Sequence, residues 1–291
     1  MENSLGRAVM TPREFSTDRP PTPLKPPVWT WEVPAYFFAG GVAGLSAVIA
    51  LVASLTGSDA GTVTAARWVS AIGAAVSPLL LISDLGRPSR FLYMLRVFKP
   101  TSAMSVGAWT LVLFSGATFG ALALSLLLPS GTAARIVVTA FDVIAAASGL
   151  VLATYTGVLL GATVIPVWAR HHRLLPFEFG ISSLGAAASV IELAGGFTAP
   201  LHRAALAAAA VKTAVWLIGA ARGIAIVEPG KRDLSARAAW LSGPIALGLR
   251  LVGSTWVPIR GVAAVAAIAG ALLLRFGWLD AGRAGAASVR E

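Results

Sequence analysis

The stretch PAYFFAGGVAGLSAVIALVASL, residues 34–55, has no charged side chain over 22 consecutive positions. A helix of that length rises about 33 Å at 1.5 Å per residue, enough to cross the hydrocarbon core of a bilayer. Because hydrocarbon offers no water to backbone groups, such a stretch is expected to be a helix. Comparable stretches follow at about 64–82, 105–128, 135–161, 179–199, 204–226, 239–257 and 261–278. The sequence therefore predicts an all-α polytopic membrane protein with eight transmembrane helices.

The overall composition agrees with this class and excludes several others. Of 291 residues, 56% are apolar and only 12% are charged, about half the charged share of a soluble protein. The chain has no cysteine, which excludes a disulfide scaffold, an iron–sulfur cluster and a thiolate zinc site within it. The seventh stretch is the weakest, because Pro244, Arg250 and Pro258 interrupt or bound it. Residues 1–28 are polar and proline-rich without a signal-peptide core, and they predict an extended tail.

The basic residues indicate how the spans are oriented. With eight spans both termini share one side, here called face A, which also holds the loops after spans two, four and six; the opposite side is face B. Face A has 17 Lys and Arg residues and face B has 5. This bias predicts that face A and both termini are cytoplasmic, in a cell inner membrane. The formal charge of +10 is thereby explained without nucleic acid, although a basic face A could equally dock an acidic partner subunit.

Ionisable residues within spans are costly and are therefore functional candidates. Asp142, Glu192 and Lys212 lie towards face B. Glu192 and Lys212 flank one hairpin at similar distances, which predicts that they reach the same depth and can form an ion pair. That pair could fix helix packing or conduct protons. The three histidines, His171, His172 and His202, are all expected in loops, so no haem is predicted between the helices.

The loop after span two combines helix breakers, charges and aromatic residues. Its first part runs from Asp84 through Gly86, Arg87 and Pro88 to Phe91, and Asp84 is close enough in sequence to pair with Arg87 or Arg90. Residues 89–98 predict a short amphipathic helix at the membrane surface. The loop is therefore expected to be rigid and held against the bilayer.

These residues resemble the membrane subunits of the polysulfide reductase family, also called the NrfD/PsrC type. Five separated stretches carry the resemblance, in the family order and over about residues 29–282. They are residues 29–41 (WTWEVPAYFFAGG), 84–88 (DLGRP), 99–109 (KPTSAMSVGAW), 155–169 (YTGVLLGATVIPVWA) and 274–278 (LRFGW).

The resemblance implies a haem-free protein of two four-helix bundles, residues 29–165 and 166–282, with a C-terminal tail at 283–291. It implies a quinone (menaquinone or ubiquinone) as an exchangeable ligand at the face A end of the first bundle. It also implies electron exchange with an iron–sulfur subunit, which serves a catalytic subunit that is often a molybdoenzyme. The chain alone would then be non-catalytic. In well-known members the catalytic module is extracytoplasmic, whereas the charge bias here favours a cytoplasmic face A.

The resemblance and the span count converge on the same candidate residues. Tyr155 matches a family tyrosine near the quinone, and Tyr36 stands about where the family has a histidine; both are predicted to donate to the quinone oxygens. Asp84 is the candidate proton acceptor, supported by Arg87 and Arg90. Trp31 is placed beside the quinone, although Trp29 and Trp31 fit an interfacial anchor better. A proton route through Asp142, Glu192 and Lys212 is expected, and no metal site is.

Two rival interpretations remain open from the sequence. A small secondary transporter would use Glu192 and Lys212 as its coupling site and would work without partner subunits. A purely structural membrane anchor would bind no quinone of its own.

Overall fold

Every regular element of the described chain is helical in the computed structural model, which describes residues 29–87, 89–129, 131–221, 234–253 and 256–288. The α-helices are α1 (Glu32–Leu55), α2 (Ala60–Asp84), α3 (Ser89–Met94), α4 (Ala103–Leu127), α5 (Thr132–Gly161), α6 (Pro166–Arg170), α7 (Leu174–Gly195), α8 (Ala199–Ala221), α9 (Leu234–Trp240), α10 (Ala246–Val252) and α11 (Val257–Ser288). A π-helical segment, Leu241–Ile245, joins α9 to α10. The predicted tail at residues 1–28 lies outside the described residues. The all-α class is confirmed.

Seven of the described helices are long and apolar enough to cross a membrane: α1, α2, α4, α5, α7, α8 and α11. The predicted seventh span, 239–257, is instead a run of short segments from Leu234 to Val252. Pro244 lies in its π-helical part, because proline has no N–H to donate and its ring displaces the preceding turn. The count of eight spans therefore stays a prediction.

Several helix ends differ from the sequence-based boundaries. Helix α2 begins four residues earlier than expected, since the Asp59 side chain accepts a hydrogen bond from the Thr62 backbone N–H at 3.0 Å and caps the helix. Helix α11 continues to Ser288, so most of the predicted tail at 283–291 is helical. The end of the predicted sixth span, at 226, lies outside the described residues.

Helix α1 is central, because it packs against α2, α5, α7 and α11. Its closest approach is to α5, where Gly44 lies directly against the backbone of Gly149. A side chain at either position would overlap the other helix, so two glycines are required for this contact. The contact brings the face A ends of α1 and α5 together.

Face A is bordered by two short helices. Helix α3 has no buried residue and exposes Leu92 and Tyr93, consistent with the predicted interfacial helix but shorter than the range 89–98. Helix α6 begins at Pro166, a favoured residue in a first helical turn. Its Trp168 is fully buried, which anchors the connection between α5 and α7.

Candidate functional site

Tyr36 of α1 and Tyr155 of α5 form a pair of facing phenols near face A. Both side chains are buried in the same core cluster, at 2% and 8% exposure. The structure thus brings together the two tyrosines that the sequence places near the same face, and their role at a quinone stays a prediction. Two hydroxyls in an apolar surrounding can present two hydrogen-bond donors to a small polar ligand.

The space for the Tyr155 ring depends on a glycine of α4. A Cβ atom at Gly107 would overlap the ring and hydroxyl of Tyr155. Gly107 belongs to the stretch KPTSAMSVGAW, in which Ser102 also caps α4 by accepting from the Ser105 N–H at 3.4 Å. This stretch therefore starts α4 and leaves room for the Tyr155 ring.

Asp84 lies at the face A end of α2, beside the start of α1. Its Oδ1 accepts from the Thr30 hydroxyl at 2.8 Å and from the Thr30 backbone N–H at 3.4 Å. The Thr30 hydroxyl also contacts the carboxyl group of Glu32. A threonine hydroxyl has one hydrogen, so it can donate to only one carboxylate; a proton on either carboxyl group would satisfy the second contact. Glu32 is one helical turn from Tyr36, on the same face of α1.

The predicted pairing of Asp84 with Arg87 or Arg90 is wrong within the described residues. Asp84 is turned towards Thr30, whereas Arg90 donates to the backbone carbonyl of Leu85 at 3.4 Å. Arg87 is exposed. The reason is that Gly86, with φ of 65°, turns the chain away from α2 directly after the aspartate.

The tryptophans near face A have different surroundings. Trp29 stacks on Trp168 with ring centroids 5.6 Å apart and an interplanar angle of 12°, so it is a packing partner of α6 rather than only an interfacial anchor. Trp31 is 62% exposed, as an anchor at the membrane surface would be. The two phenols are therefore buried, whereas the Trp31 side chain is exposed.

The predicted Glu192–Lys212 ion pair is wrong. Lys212 of α8 donates instead to Oε1 of Glu178 in α7 at 3.2 Å, and both side chains are buried. Trp278 of α11 donates from Nε1 to the other Glu178 oxygen at 3.3 Å. Glu178 precedes the apolar stretch predicted at 179–199, so sequence reasoning placed it in a loop. Because α7 begins at Leu174, Glu178 is inside the helix.

Glu192 is held by two arginines at the face B end. Arg250 of α10 donates to Oε2 at 2.9 Å and Arg260 of α11 donates to Oε1 at 3.3 Å. Arg250 also donates to the Ser189 hydroxyl at 2.8 Å and is completely buried. His202 lies in the first turn of α8, not in the loop where it was expected. The transporter hypothesis therefore loses its proposed coupling pair.

Asp142 of α5 pairs with Arg67 of α2. The guanidinium donates from Nε to Oδ1 at 3.2 Å and from Nη2 to Oδ2 at 2.5 Å, a two-point contact of the strong bidentate type. Both side chains are largely buried, at 15% and 3% exposure. Asp142, Glu192 and Lys212 thus belong to three separate groups of paired charges, and the structure does not bring them together.

Arg275 of α11 is a buried cation that the positive-inside count assigned to face A. Its two terminal nitrogens donate to Ser182 Oγ, Ser183 Oγ and two backbone carbonyls, at 2.6–3.0 Å. Its guanidinium also lies over the Phe179 ring, 4.8 Å from the centroid. The signal for this role was the LRFGW stretch, in which a charge interrupts an apolar run. Among the described residues, no group of three or more His, Cys, Asp or Glu side chains could hold a metal ion.

Comparison of the chain with family models finds one match that covers most of its length. The sequence profile of the polysulfide reductase family, NrfD type, matches residues 23–290. Comparison with curated proteins finds no match. The profile covers nearly the whole chain, including α1, α5 and the α11 residues that meet α7, and members of this family are membrane subunits that work with other subunits. The chain belongs to the NrfD-type polysulfide reductase family.

Proposed function

We propose that this protein is the quinone-binding membrane subunit of a respiratory oxidoreductase complex. The observation that carries the proposal is the buried pair of phenols, Tyr36 and Tyr155, at the face A end of α1 and α5. A quinone ring has two carbonyl oxygens and an apolar body, so it needs an apolar slot with donors. The two tyrosines supply donors, and the surrounding core cluster of aromatic and aliphatic side chains supplies apolar surface.

Reduction of a quinone to a quinol takes up two electrons and two protons, and oxidation releases them. We assign proton exchange to the carboxyl groups of Asp84 and Glu32, which both contact the Thr30 hydroxyl. Their position at the end of the helices suits exchange with water, while Tyr36 lies one turn deeper. The tyrosine at this position hydrogen-bonds as a histidine would, but it does not titrate near neutral pH. Proton exchange therefore falls to the two carboxyl groups.

Electrons would reach or leave the quinone through an iron–sulfur subunit docked on face A, which in turn serves a catalytic subunit. The exposed apolar residues of this face, including Leu92, Tyr93 and Phe98, suit both lipid and a docked subunit. We further propose eight spans in two four-helix bundles, with the run from Leu234 to Val252 as the seventh span. The bundles are residues 29–165 and 166–282, with both termini on the cytoplasmic side of the inner membrane.

Any proton movement across the membrane would begin at Glu178 and Lys212 rather than at Glu192. Glu178 directly precedes Phe179 in α7, and the Phe179 ring contacts Phe37, which in turn contacts Tyr36. The partner of Glu178 is a lysine that can itself release a proton. Asp142 and Glu192 are each fixed by arginine, which does not release protons at physiological pH. They are therefore poorer proton carriers.

The test uses the complex purified in mild detergent from native membranes, with quinone-linked turnover as the readout. The chain has three tyrosines, so Tyr36→Phe and Tyr155→Phe are compared with Tyr93→Phe, whose side chain is 63% exposed on α3. Loss of one donor to a bound oxygen is worth about 0.5–1.5 kcal/mol. Each buried variant is expected to lower turnover about tenfold or less at limiting quinone, and Tyr93→Phe is expected to leave it unchanged.

Unchanged turnover in both buried variants would contradict the proposal and would favour a purely structural anchor. The subunits that copurify provide a second readout. A cysteine-rich iron–sulfur protein is expected in the preparation, whereas recovery of the 29.8 kDa chain alone would argue against the quinone role.

A further inference from the structure

A cavity of about 380 Å³ opens at the face B end of the first four membrane helices. It is lined by the end of α1, the end of α4, the first turns of α5, and Arg67 of α2. Its volume is within the roughly 300–1,000 Å³ range of small-molecule sites. Neither the quinone site nor the ion pairs of α7 and α8 involve it, because those lie on other helices or at face A.

The cavity has a net positive charge. Arg67 is neutralised by Asp142, which occupies Nε and Nη2 and leaves Nη1 without a hydrogen bond to any residue that the structure describes. Arg135, in the first turns of α5, also lines the cavity and has no acidic partner in the described ranges. One uncompensated cation in the lining favours a ligand with one negative charge.

The hydroxyl groups in the lining divide into donors and acceptors. Ser54 donates its hydrogen to the Leu51 carbonyl at 2.8 Å, and Ser125 donates to the Leu122 carbonyl at 2.7 Å. Each serine oxygen therefore has only lone pairs to offer to a ligand. Thr139 makes no side-chain hydrogen bond within the described chain, so its hydroxyl can donate. The lining thus suits a ligand with both acceptor oxygens and donor hydroxyls.

The rim of the cavity is apolar and faces outward. Leu55, at the end of α1, is 66% exposed, and Leu128, after α4, is 39% exposed. At the end of a membrane-spanning helix, exposed leucines contact lipid rather than water. A ligand in the cavity would therefore have its polar group between the helix ends and an apolar chain beside the leucines.

We propose that this cavity binds the phosphate group of an anionic phospholipid whose headgroup carries hydroxyls, as in phosphatidylglycerol. Arg135, Nη1 of Arg67 and Thr139 donate to the phosphate oxygens, and the oxygens of Ser54 and Ser125 accept from the headgroup hydroxyls. The acyl chains lie along Leu55 and Leu128. Arginine suits this task, since its planar guanidinium matches phosphate geometry. The lipid would join the α1–α2 and α4–α5 hairpins at face B.

The test measures the thermal unfolding midpoint of the delipidated, purified protein complex while phosphatidylglycerol is titrated into the micelles. A ligand that binds only the folded state raises this midpoint with concentration. Phosphatidylethanolamine with the same acyl chains tests for charge selectivity, and inorganic phosphate tests for a soluble anion. The variants are Arg135→Gln and Thr139→Val. The matched control is Arg203→Gln, an exposed arginine near the same face that does not line the cavity.

Phosphatidylglycerol is expected to raise the midpoint of the unmodified protein and of Arg203→Gln, with little effect of phosphatidylethanolamine or phosphate. Because Arg135→Gln removes a charged hydrogen bond, it is expected to weaken the apparent affinity about tenfold or more, and Thr139→Val by a smaller factor. If phosphatidylglycerol and phosphatidylethanolamine changed the unfolding midpoint equally in every variant, the proposed lipid site would be overturned. An equal effect of inorganic phosphate would overturn the lipid as its ligand.

Discussion

Gly44 of α1 and Gly149 of α5 touch backbone to backbone, and this contact sets the height of the two site tyrosines. The helices run in opposite directions across the membrane. Tyr36 is eight residues from Gly44 towards face A, and Tyr155 is six residues from Gly149 in the same direction. At 1.5 Å per residue these offsets are about 12 and 9 Å. Because both offsets start from the same glycine contact and point to face A, the two phenols lie at similar depth.

The first prediction concerns this helix contact. Gly149→Ala places a methyl group against the Gly44 backbone, which cannot move aside as a side chain can. We expect a loss of about 1–3 kcal/mol in the free energy of unfolding, measured by thermal or denaturant unfolding in detergent. Gly116→Ala is the matched control, because a Cβ there meets nothing within 4 Å and alanine favours the helix by about 0.5–1 kcal/mol. Equal stability of the two variants would contradict the close contact.

The second prediction concerns the glycine beneath Tyr155. Gly107→Ala would push the Tyr155 ring from its position and so misplace one proposed quinone donor. Displacement of a catalytic or binding group by about 1 Å can lower rates up to roughly a hundredfold. We expect quinone-linked turnover of the complex to fall by about tenfold or more. Subunit composition should be retained, and Gly116→Ala on the same helix should have full turnover. Normal turnover in Gly107→Ala would contradict the proposed role of Tyr155 as a donor to the quinone.

The third prediction concerns the carboxylate at face B. Glu192→Gln leaves Arg250, which is completely buried, without its charged partner. Removal of one member of a buried ion pair typically destabilises by about 3–5 kcal/mol. We expect a large drop in the unfolding midpoint or in the yield of folded protein. Asp280→Asn is the control, because it removes the exposed partner of Arg283. We expect it to lower the free energy of unfolding by only about 0–1 kcal/mol. Similar effects at the two positions would show that Arg250 is not buried as described.

The fourth prediction separates the two possible partners of Lys212. A double-mutant cycle combines Lys212→Met with Glu178→Gln, and a second cycle combines Lys212→Met with Glu192→Gln. Contact between Lys212 and Glu178 at 3.2 Å predicts a coupling energy of about 0.5–3 kcal/mol in the first cycle. The second cycle should be additive, because Glu192 has other partners. Unfolding free energies of the six proteins provide the measurement, and the reverse result would restore the Glu192–Lys212 pair.

The fold class and the shared position of Tyr36 and Tyr155 could be predicted from sequence for a clear reason. Apolar runs long enough to span a bilayer can adopt only one backbone structure there, and counting spans assigns residues 36, 84 and 155 to the same face. The partner of each charge could not be predicted. Which glutamate Lys212 meets depends on where the turn between α7 and α8 falls. Because α7 ends at Gly195 and α8 begins at Ala199, Lys212 is closer in depth to Glu178 than to Glu192.

The sequence by itself determined that the chain is helical and membrane-spanning, because its apolar runs leave no other way to satisfy backbone hydrogen bonds in hydrocarbon. It also determined that Tyr36 and Tyr155 lie near the same face. The tertiary structure alone decided that Arg275 and Arg250 are buried rather than at the surface, and that Asp84 meets Thr30 rather than Arg87. These outcomes depend on helix rotation, close glycine contacts and local turns, which are set by packing between distant parts of the chain rather than by the periodicity of any one segment.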